Sequence, residues 1–258
     1  MNRRRSRGLP ALSLIAALLA AMGGVALTGC GGSGSGRPRL TVSAATSLKA
    51  PLTGYAADFD QADVRLSFAG SDQLAAQIRL GARPDVFASA DEDLPAALHR
   101  EGLVDRPVRF ATNRLVAVMV AGGKVRRFAD LAKPGIRIAA GSPSVPVGAY
   151  ARRAIAALPQ PQRRAITGNI ATEEPDVAAV IARVRGGAVD AGFAYVTDAR
   201  AVPELRTIDL PVQVTAAYAV AVVRSTKHPD EARRFVRGLL AGAGRDALLS
   251  AGFGPAAP

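Results

Sequence analysis

The chain contains little of what disulfide frameworks, metal centres and nucleic-acid surfaces are built from. Its 258 residues include one cysteine, Cys30, so no intrachain disulfide can form. It has no tryptophan, and aromatic residues make up only 5% of it, which leaves few rings to stack on bases. The two histidines, His99 and His228, and four scattered tyrosines make a weak ligand set for a metal ion. We therefore expect neither a disulfide-stabilised domain nor a nucleic-acid partner.

The sequence also lacks the short motifs of common hydrolases. No Gly-x-Ser-x-Gly or His-Glu-x-x-His pattern occurs, and neither histidine lies near a serine in a nucleophile-elbow pattern. Asp85 and Asp91 have no ordered set of histidine or glutamate partners nearby, so we interpret them as helix-cap and turn residues. We expect that the protein is not an enzyme and that it carries no cofactor.

Positive charge exceeds negative charge in the chain as a whole. The formal net charge is +12, and it falls to +8 when the four arginines of residues 1–29 are removed. Such a balance favours nucleic acid, an anionic membrane surface or small anions as partners. The basic residues are scattered among alanine and glycine and form no stripe, which disfavours nucleic acid and predicts mostly solvated charges.

The first residues have the organisation of an export signal. Four arginines within the first seven residues precede an apolar run from Leu9 to Leu27, and this is the order of charged and apolar regions in a secretory signal. Pro10, Gly23 and Gly24 dilute the run, which favours a cleaved signal over a permanent membrane span. The adjacent arginines leave a twin-arginine export route open, although their continuation fits it poorly.

The end of the apolar run indicates a lipid anchor. Leu27-Thr28-Gly29-Cys30 resembles the lipobox of bacterial lipoproteins at all four positions. In that motif the cysteine receives a diacylglycerol thioether and becomes the mature N-terminus. The glycine and serine that follow up to Pro38 are typical of a flexible linker. We predict a lipoprotein signal peptide at 1–29 and a lipidated Cys30 with its linker at 30–38, on the outer face of the cell membrane.

Strand and helix patterns alternate along the rest of the chain. Apolar or alternating runs predict strands at 40–44, 64–68, 86–88, 115–120, 136–140, 191–195 and 218–223. Helical spacing of apolar residues predicts helices at 48–59, 74–80, 94–100, 147–158, 176–185 and 231–240. This alternation predicts an α/β fold in which each sheet is mainly parallel and is flanked by helices.

The order of these elements predicts two lobes. Residues 39–117 and 218–258 would form the first lobe, and residues 118–217 the second. The chain would then pass between the lobes twice, and these two crossover segments would form a hinge with the ligand in the cleft between the lobes.

Three turns between a strand and the following helix carry hydroxyl or glycine residues. They are 45–47, 69–71 and 141–146, at the sheet edge where open α/β folds bind ligands. Free N–H groups at a helix start and a serine hydroxyl hold an anion without a formal counter-charge. Simple N-capping explains the same serines, so spacing alone leaves both interpretations open.

The motifs around these turns resemble those of the periplasmic molybdate-binding protein family. The matching segments are 41–48, 67–78, 81–91, 113–116 and 141–151, and the similarity covers nearly all of residues 40–254. The resemblance implies a two-lobed, type II periplasmic binding protein that closes on tetrahedral molybdate or tungstate through neutral donors. It also implies a monomer that delivers the oxyanion to the permease subunits of an ABC transporter.

Five ligand-binding residues follow from the resemblance. Ser47 and Ser71 would donate side-chain and backbone hydrogen bonds, Val147 and Val177 their backbone N–H groups, and Tyr195 its phenol. The family commonly has alanine where this chain has Val147, a difference that concerns a backbone contact. Without the family, Tyr195 would be interpreted as a core or rim residue.

The identity of the oxyanion is not fixed by these residues. Their donors recognise shape and charge, so sulfate, thiosulfate or another oxyanion is the alternative ligand. A metal-ion receptor or an enzyme is a minor alternative, and we expect no metal apart from the one in the bound oxyanion.

Overall fold

The computed structural model of the protein describes residues 36–256. The predicted signal peptide, the predicted lipidation site Cys30 and the linker up to residue 35 lie outside the described residues. Among residues 36–256, no helix combines the length and the apolar character that a membrane crossing needs.

Strands and helices alternate as the sequence predicts. The strands are β1 (Arg39–Ala45), β2 (Asp63–Ala69), β3 (Val86–Ser89), β4 (Val108–Val120), β5 (Ile138–Gly141), β6 (Ile170–Glu174), β7 (Ala191–Tyr195), β8 (Leu205–Asp209) and β9 (Thr215–Val222). The helices are α1 (Lys49–Asp58), α2 (Ser71–Arg79), α3 (Asp93–Arg100), α4 (Pro146–Ala156), α5 (Gln160–Gly168), α6 (Val177–Arg185), α7 (Val196–Arg200), α8 (Pro229–Leu240) and α9 (Ala243–Ser250).

The strands form one sheet with two halves. Its order is β2-β1-β3-β9-β4-β7-β5-β6, and β8 pairs with β4 beside this path. In the first half β1 pairs in parallel with β2 and β3, and in the second half β5 pairs in parallel with β6 and β7. The antiparallel pairs among the described strands all include β4 or β9, because these two strands join the halves.

Strand β4 passes from one half to the other. It pairs with β9 up to Arg114 and with β7 from Leu115 onwards. Its second part is fully buried at Leu115, Val116, Ala117 and Val118, on both faces of the sheet, and a strand buried in this way has a continuous apolar sequence. The change of partner lies close to the predicted lobe boundary, and the boundaries themselves stay a prediction.

The elements that the sequence predicted are all formed, and outside β4 their ends differ from the prediction by three residues or fewer. The start of β4 was missed because polar side chains and a register shift between Arg109 and Ala111 interrupt its pattern. Strands β6 and β8 were missed because they are short and polar, with few buried residues. The short helices α5, α7 and α9 were also missed.

Candidate functional site

A cavity lies where the carboxyl ends of strands from both halves of the sheet meet. It contains about 230 Å³ of space, part of which is open to solvent. Its lining comes from the turns after β1, β2, β3, β5 and β6 and from the end of β7: Ala45, Thr46, Ser47, Ala69, Gly70, Ser71, Ala90, Val145, Pro146, Val147, Asp176, Val177 and Tyr195. The structure therefore brings together all of the residues predicted to bind the ligand: Ser47, Ser71, Val147, Val177 and Tyr195.

The first turns of several helices face this cavity. Helices α2, α4 and α6 begin at Ser71, Pro146 and Val177, and a short 3₁₀ helix leading into α1 begins at Thr46. The first N–H groups of a helix have no acceptor within it and carry partial positive charge. None of the described lining residues is lysine, arginine or histidine. This lining offers an anion backbone dipoles and hydroxyl groups in place of a counter-charge.

The one carboxylate in the described lining is already engaged. Asp176 is the N-cap residue of α6, and its Oδ1 accepts a hydrogen bond of 2.8 Å from the N–H of Ala179. This bond satisfies an orphan donor of the helix. The N–H of Val177, one residue further on, stays among the first-turn donors that line the cavity.

The two serines are not simple N-caps. Ala45 and Gly70 occupy the N-cap positions, and neither the 3₁₀ helix nor α2 has a side-chain cap hydrogen bond in the described chain. The Oγ of Ser71 accepts a hydrogen bond of 3.1 Å from the N–H of Ala90, and the hydroxyls of Ser47 and Tyr218 lie 2.9 Å apart. The N-capping interpretation that the spacing left open is therefore not the arrangement in the structure.

The hydroxyl of Tyr195 is buried and unpaired. The residue is 1% exposed, and its hydroxyl has no hydrogen-bond partner within residues 36–256. Burial raises the pKa of this phenol well above its ordinary value, and nearby Tyr218 and Tyr150 act in the same direction, so the group is a neutral donor. A buried hydroxyl without a partner is destabilising. Because Tyr195 lines the cavity, an acceptor atom of a ligand there would satisfy this hydroxyl.

Tight packing of the turn after β5 fixes the position of Val147 in the cavity lining. A Cβ atom on Gly148 would lie 1.9 Å from the carbonyl oxygen of Ser142, so only glycine allows this approach. The side chain of Val147 packs over Gly141. A Cβ atom added to Gly141 would lie 2.6 Å from Cγ1 of Val147. The side chain of Val147 is thus accommodated by a glycine on β5.

The two halves touch beside the cavity. A Cβ atom on Gly70 would lie 2.4 Å from the carbonyl oxygen of Pro175, so the main chains of the turns after β2 and β6 are in direct contact. The hydroxyl of Ser144 donates a hydrogen bond of 2.8 Å to Oδ2 of Asp72. These contacts close the cavity along one side.

Two residues of the crossing strands, which the sequence analysis missed, reach the site from behind. Tyr218 on β9 is fully buried and contacts Ser47 through its hydroxyl. Asn113 on β4 is 4% exposed, and its Nδ2 donates a hydrogen bond of 2.8 Å to Oγ1 of Thr197. Within strand patterns both residues look like ordinary core positions. In the sequence, Asn113 is marked only by its place in segment 113–116, which resembles a motif of the family.

A buried carboxyl group lies near Tyr195. Asp198 follows it on α7, and burial raises the pKa of this carboxyl to about 7. Its negative charge is therefore partly suppressed at neutral pH, which reduces the repulsion that a carboxylate would exert on an anion in the cavity.

Comparisons with known proteins agree on one family. The family model described as a bacterial extracellular solute-binding protein matches residues 40–254. The molybdate-binding protein ModA of Mycobacterium tuberculosis is 37% identical over 258 residues, which cover 96% of this chain and 97% of that protein.

Solved structures show the same fold. The periplasmic molybdate-binding protein of Azotobacter vinelandii matches with a TM-score of 0.73 and 24% identity, over 83% of this chain and 98% of that one. The sulfate-binding protein SubI from Mycobacterium tuberculosis matches with a TM-score of 0.76 and 18% identity, over 86% and 88% of the two chains. These likenesses confirm the predicted two-lobed fold of periplasmic binding proteins.

The unpaired hydroxyl of Tyr195 predicts an unusual stability result. Tyr195→Phe removes a hydroxyl that has no partner in the described part of the chain, so we expect the ligand-free protein to keep its unfolding free energy or gain up to about 1 kcal/mol. Tyr218→Phe removes a buried hydrogen bond and should cost about 0.5 to 1.5 kcal/mol. Urea denaturation of both variants without ligand measures the difference. Equal losses would contradict the assignment of Tyr195 as an unsatisfied donor.

Proposed function

Because the chain belongs to the bacterial extracellular solute-binding protein family, we propose that it captures molybdate or tungstate and delivers it to the permease subunits of an ABC importer. The protein acts as a monomer, uses no cofactor and catalyses no reaction. The observation that carries the proposal is the cavity in which helix N-termini, two serine hydroxyls and the phenol of Tyr195 converge; within residues 36–256 this phenol has no partner and no cationic side chain lines the cavity.

These donors suit a tetrahedral dianion. An anion that leaves water needs a hydrogen bond for each of its oxygens, since an unpaired buried charge is very costly. Hydrogen bonds from backbone N–H groups and hydroxyls to a charged acceptor are short and strong. The N-termini come from both halves of the sheet, so the oxygens of one small ion meet donors from both lobes, and binding favours the closed arrangement.

The ligand is distinguished from other oxyanions by direct titration. Calorimetry of the mature protein with molybdate, tungstate, sulfate and inorganic phosphate, at one ionic strength, should give the tightest binding for molybdate or tungstate. The relative named as molybdate-binding, which aligns over 96% of this chain, supports this order. Tight sulfate binding with no molybdate signal would replace the proposal with the sulfate or thiosulfate alternative.

The two serines should each contribute to affinity. We expect Ser47→Ala and Ser71→Ala each to weaken molybdate binding by about 1.5 to 3 kcal/mol, because each removes a hydrogen bond to a charged group. The exposed Ser225 is a matched control, and Ser225→Ala should leave the affinity unchanged in the same calorimetric titration. If all three variants bind like the wild type, the ligand lies elsewhere.

The same proposal includes a lipid anchor on Cys30. The lipobox-like sequence that ends at Cys30 and the glycine-serine segment after it support the anchor. Two or more acyl chains on one cysteine hold a protein stably on a membrane, whereas one chain does not. We expect the exported wild-type protein to incorporate radiolabelled palmitate and Cys30→Ala to incorporate none, because the variant has no sulfur on which the thioether can form. Wild-type protein that takes up no palmitate would rule out this anchor.

A further inference from the structure

A chain of hydrogen bonds, the first partly buried and the others buried, leads from the backbone of β4 to the hydroxyl of Ser47. The N–H of Arg114 donates to Oδ1 of Asn113 at 2.9 Å. The Nδ2 of Asn113 donates to Oγ1 of Thr197 at 2.8 Å and, more weakly, to the hydroxyl of Tyr218 at 3.5 Å. The hydroxyl of Tyr218 lies 2.9 Å from Oγ of Ser47. The chain ends at the cavity wall.

Which group donates and which accepts in these hydrogen bonds follows from the protons that each group carries. Oδ1 of Asn113 faces an N–H donor, so the amide orientation is fixed and Nδ2 faces Tyr218. An amide nitrogen has no lone pair to offer, so the O–H of Tyr218 cannot donate to it. Within the described residues, the only acceptor that this O–H reaches is Oγ of Ser47.

The hydroxyl proton of Ser47 is consequently directed away from Tyr218. If Ser47 donated to Tyr218 instead, the phenol proton would be buried without an acceptor, which is costly. Ser47 therefore accepts from Tyr218, and its O–H is left to donate toward the cavity that it lines. Ser71 has the same arrangement, because its Oγ accepts from the N–H of Ala90.

We propose that Tyr218 and Asn113 are positioning residues that hold the Ser47 hydroxyl as a donor, and that this fixed direction favours oxyanions that carry no proton. The inference rests on the proposed function of the cavity. A ligand oxygen that bears a proton needs an acceptor, and a serine held as a donor does not provide one. Molybdate, tungstate and sulfate fit such a site at neutral pH, and hydrogen phosphate does not.

A double-mutant cycle on affinity tests whether Tyr218 acts through Ser47. Tyr218→Phe should weaken molybdate binding about two- to tenfold, the effect of one net hydrogen bond. In a Ser47→Ala background the same change should have no further effect, because there is no hydroxyl left to position. A role of Tyr218 in shape alone would reduce affinity equally in both backgrounds, and that result would overturn the proposal.

Tyr55→Phe is the matched control for a lost buried phenol. The hydroxyl of Tyr55 donates a hydrogen bond of 3.1 Å to the carbonyl oxygen of Phe235, in the packing of α1 on α8 and outside the cavity lining. This variant should lose stability as Tyr218→Phe does and keep the wild-type molybdate affinity. Asn113→Leu should weaken binding in the same direction as Tyr218→Phe, and also only when Ser47 is present.

Selectivity gives a second readout that general destabilisation would not change. In Tyr218→Phe the Ser47 hydroxyl is free to turn and accept a proton, so the ratio of molybdate to inorganic phosphate affinity should fall about two- to tenfold. If the wild-type protein binds molybdate and Tyr218→Phe leaves this ratio unchanged, the positioning role alone is overturned. Wild-type protein that binds neither molybdate nor tungstate would overturn the proposed function and with it this role.

Discussion

The hydrogen bonds of β4 to β9 on one side of Arg114, and to β7 from Leu115 onwards, are the interactions on which the rest of the structure depends. They join two parallel sheet segments through antiparallel strands, and they place the carboxyl ends of both segments around one cavity. Each helix that follows such a strand end then directs its first turn at the same point. Because the joint is made of two strands, the halves are connected by main chain at two places, as in a hinge.

This geometry explains how a cavity whose described lining has no cationic residue suits an anion. A lysine or arginine would supply charge, but it would also bind many anions with little regard to shape. Backbone N–H groups are fixed by the helices that contain them, and the serine hydroxyls receive hydrogen bonds from Ala90 and Tyr218. The donors are thus oriented before a ligand arrives, which lowers the entropy lost on binding.

The sequence predicted the architecture well because hydrophobic periodicity follows directly from which faces are buried. It also predicted which turns surround the cavity, since serine and glycine at strand-to-helix turns carry a local signal. The residue roles at Val147, Val177 and Tyr195 came from family resemblance alone. Asn113 and Tyr218 were not predicted as site residues, because their hydrogen bonds join positions that are far apart in the sequence. Tyr218 lies 105 residues after Asn113 and 171 residues after Ser47.

The edge strands show the other limit of prediction from one sequence. Strands β6 and β8 are half-exposed and polar, and their identity as strands depends on their neighbours β5 and β4 more than on their own side chains. Tertiary context of this kind routinely overrides local β propensity.

The contact between Gly70 and the carbonyl of Pro175 has a consequence for how selectivity can change over time. The main chains of the turns after β2 and β6 meet there, so the width of the cavity on that side is set by backbone positions that most side-chain replacements leave unaltered. A relative that accepts a smaller or larger ion would therefore differ in the length or curvature of these turns.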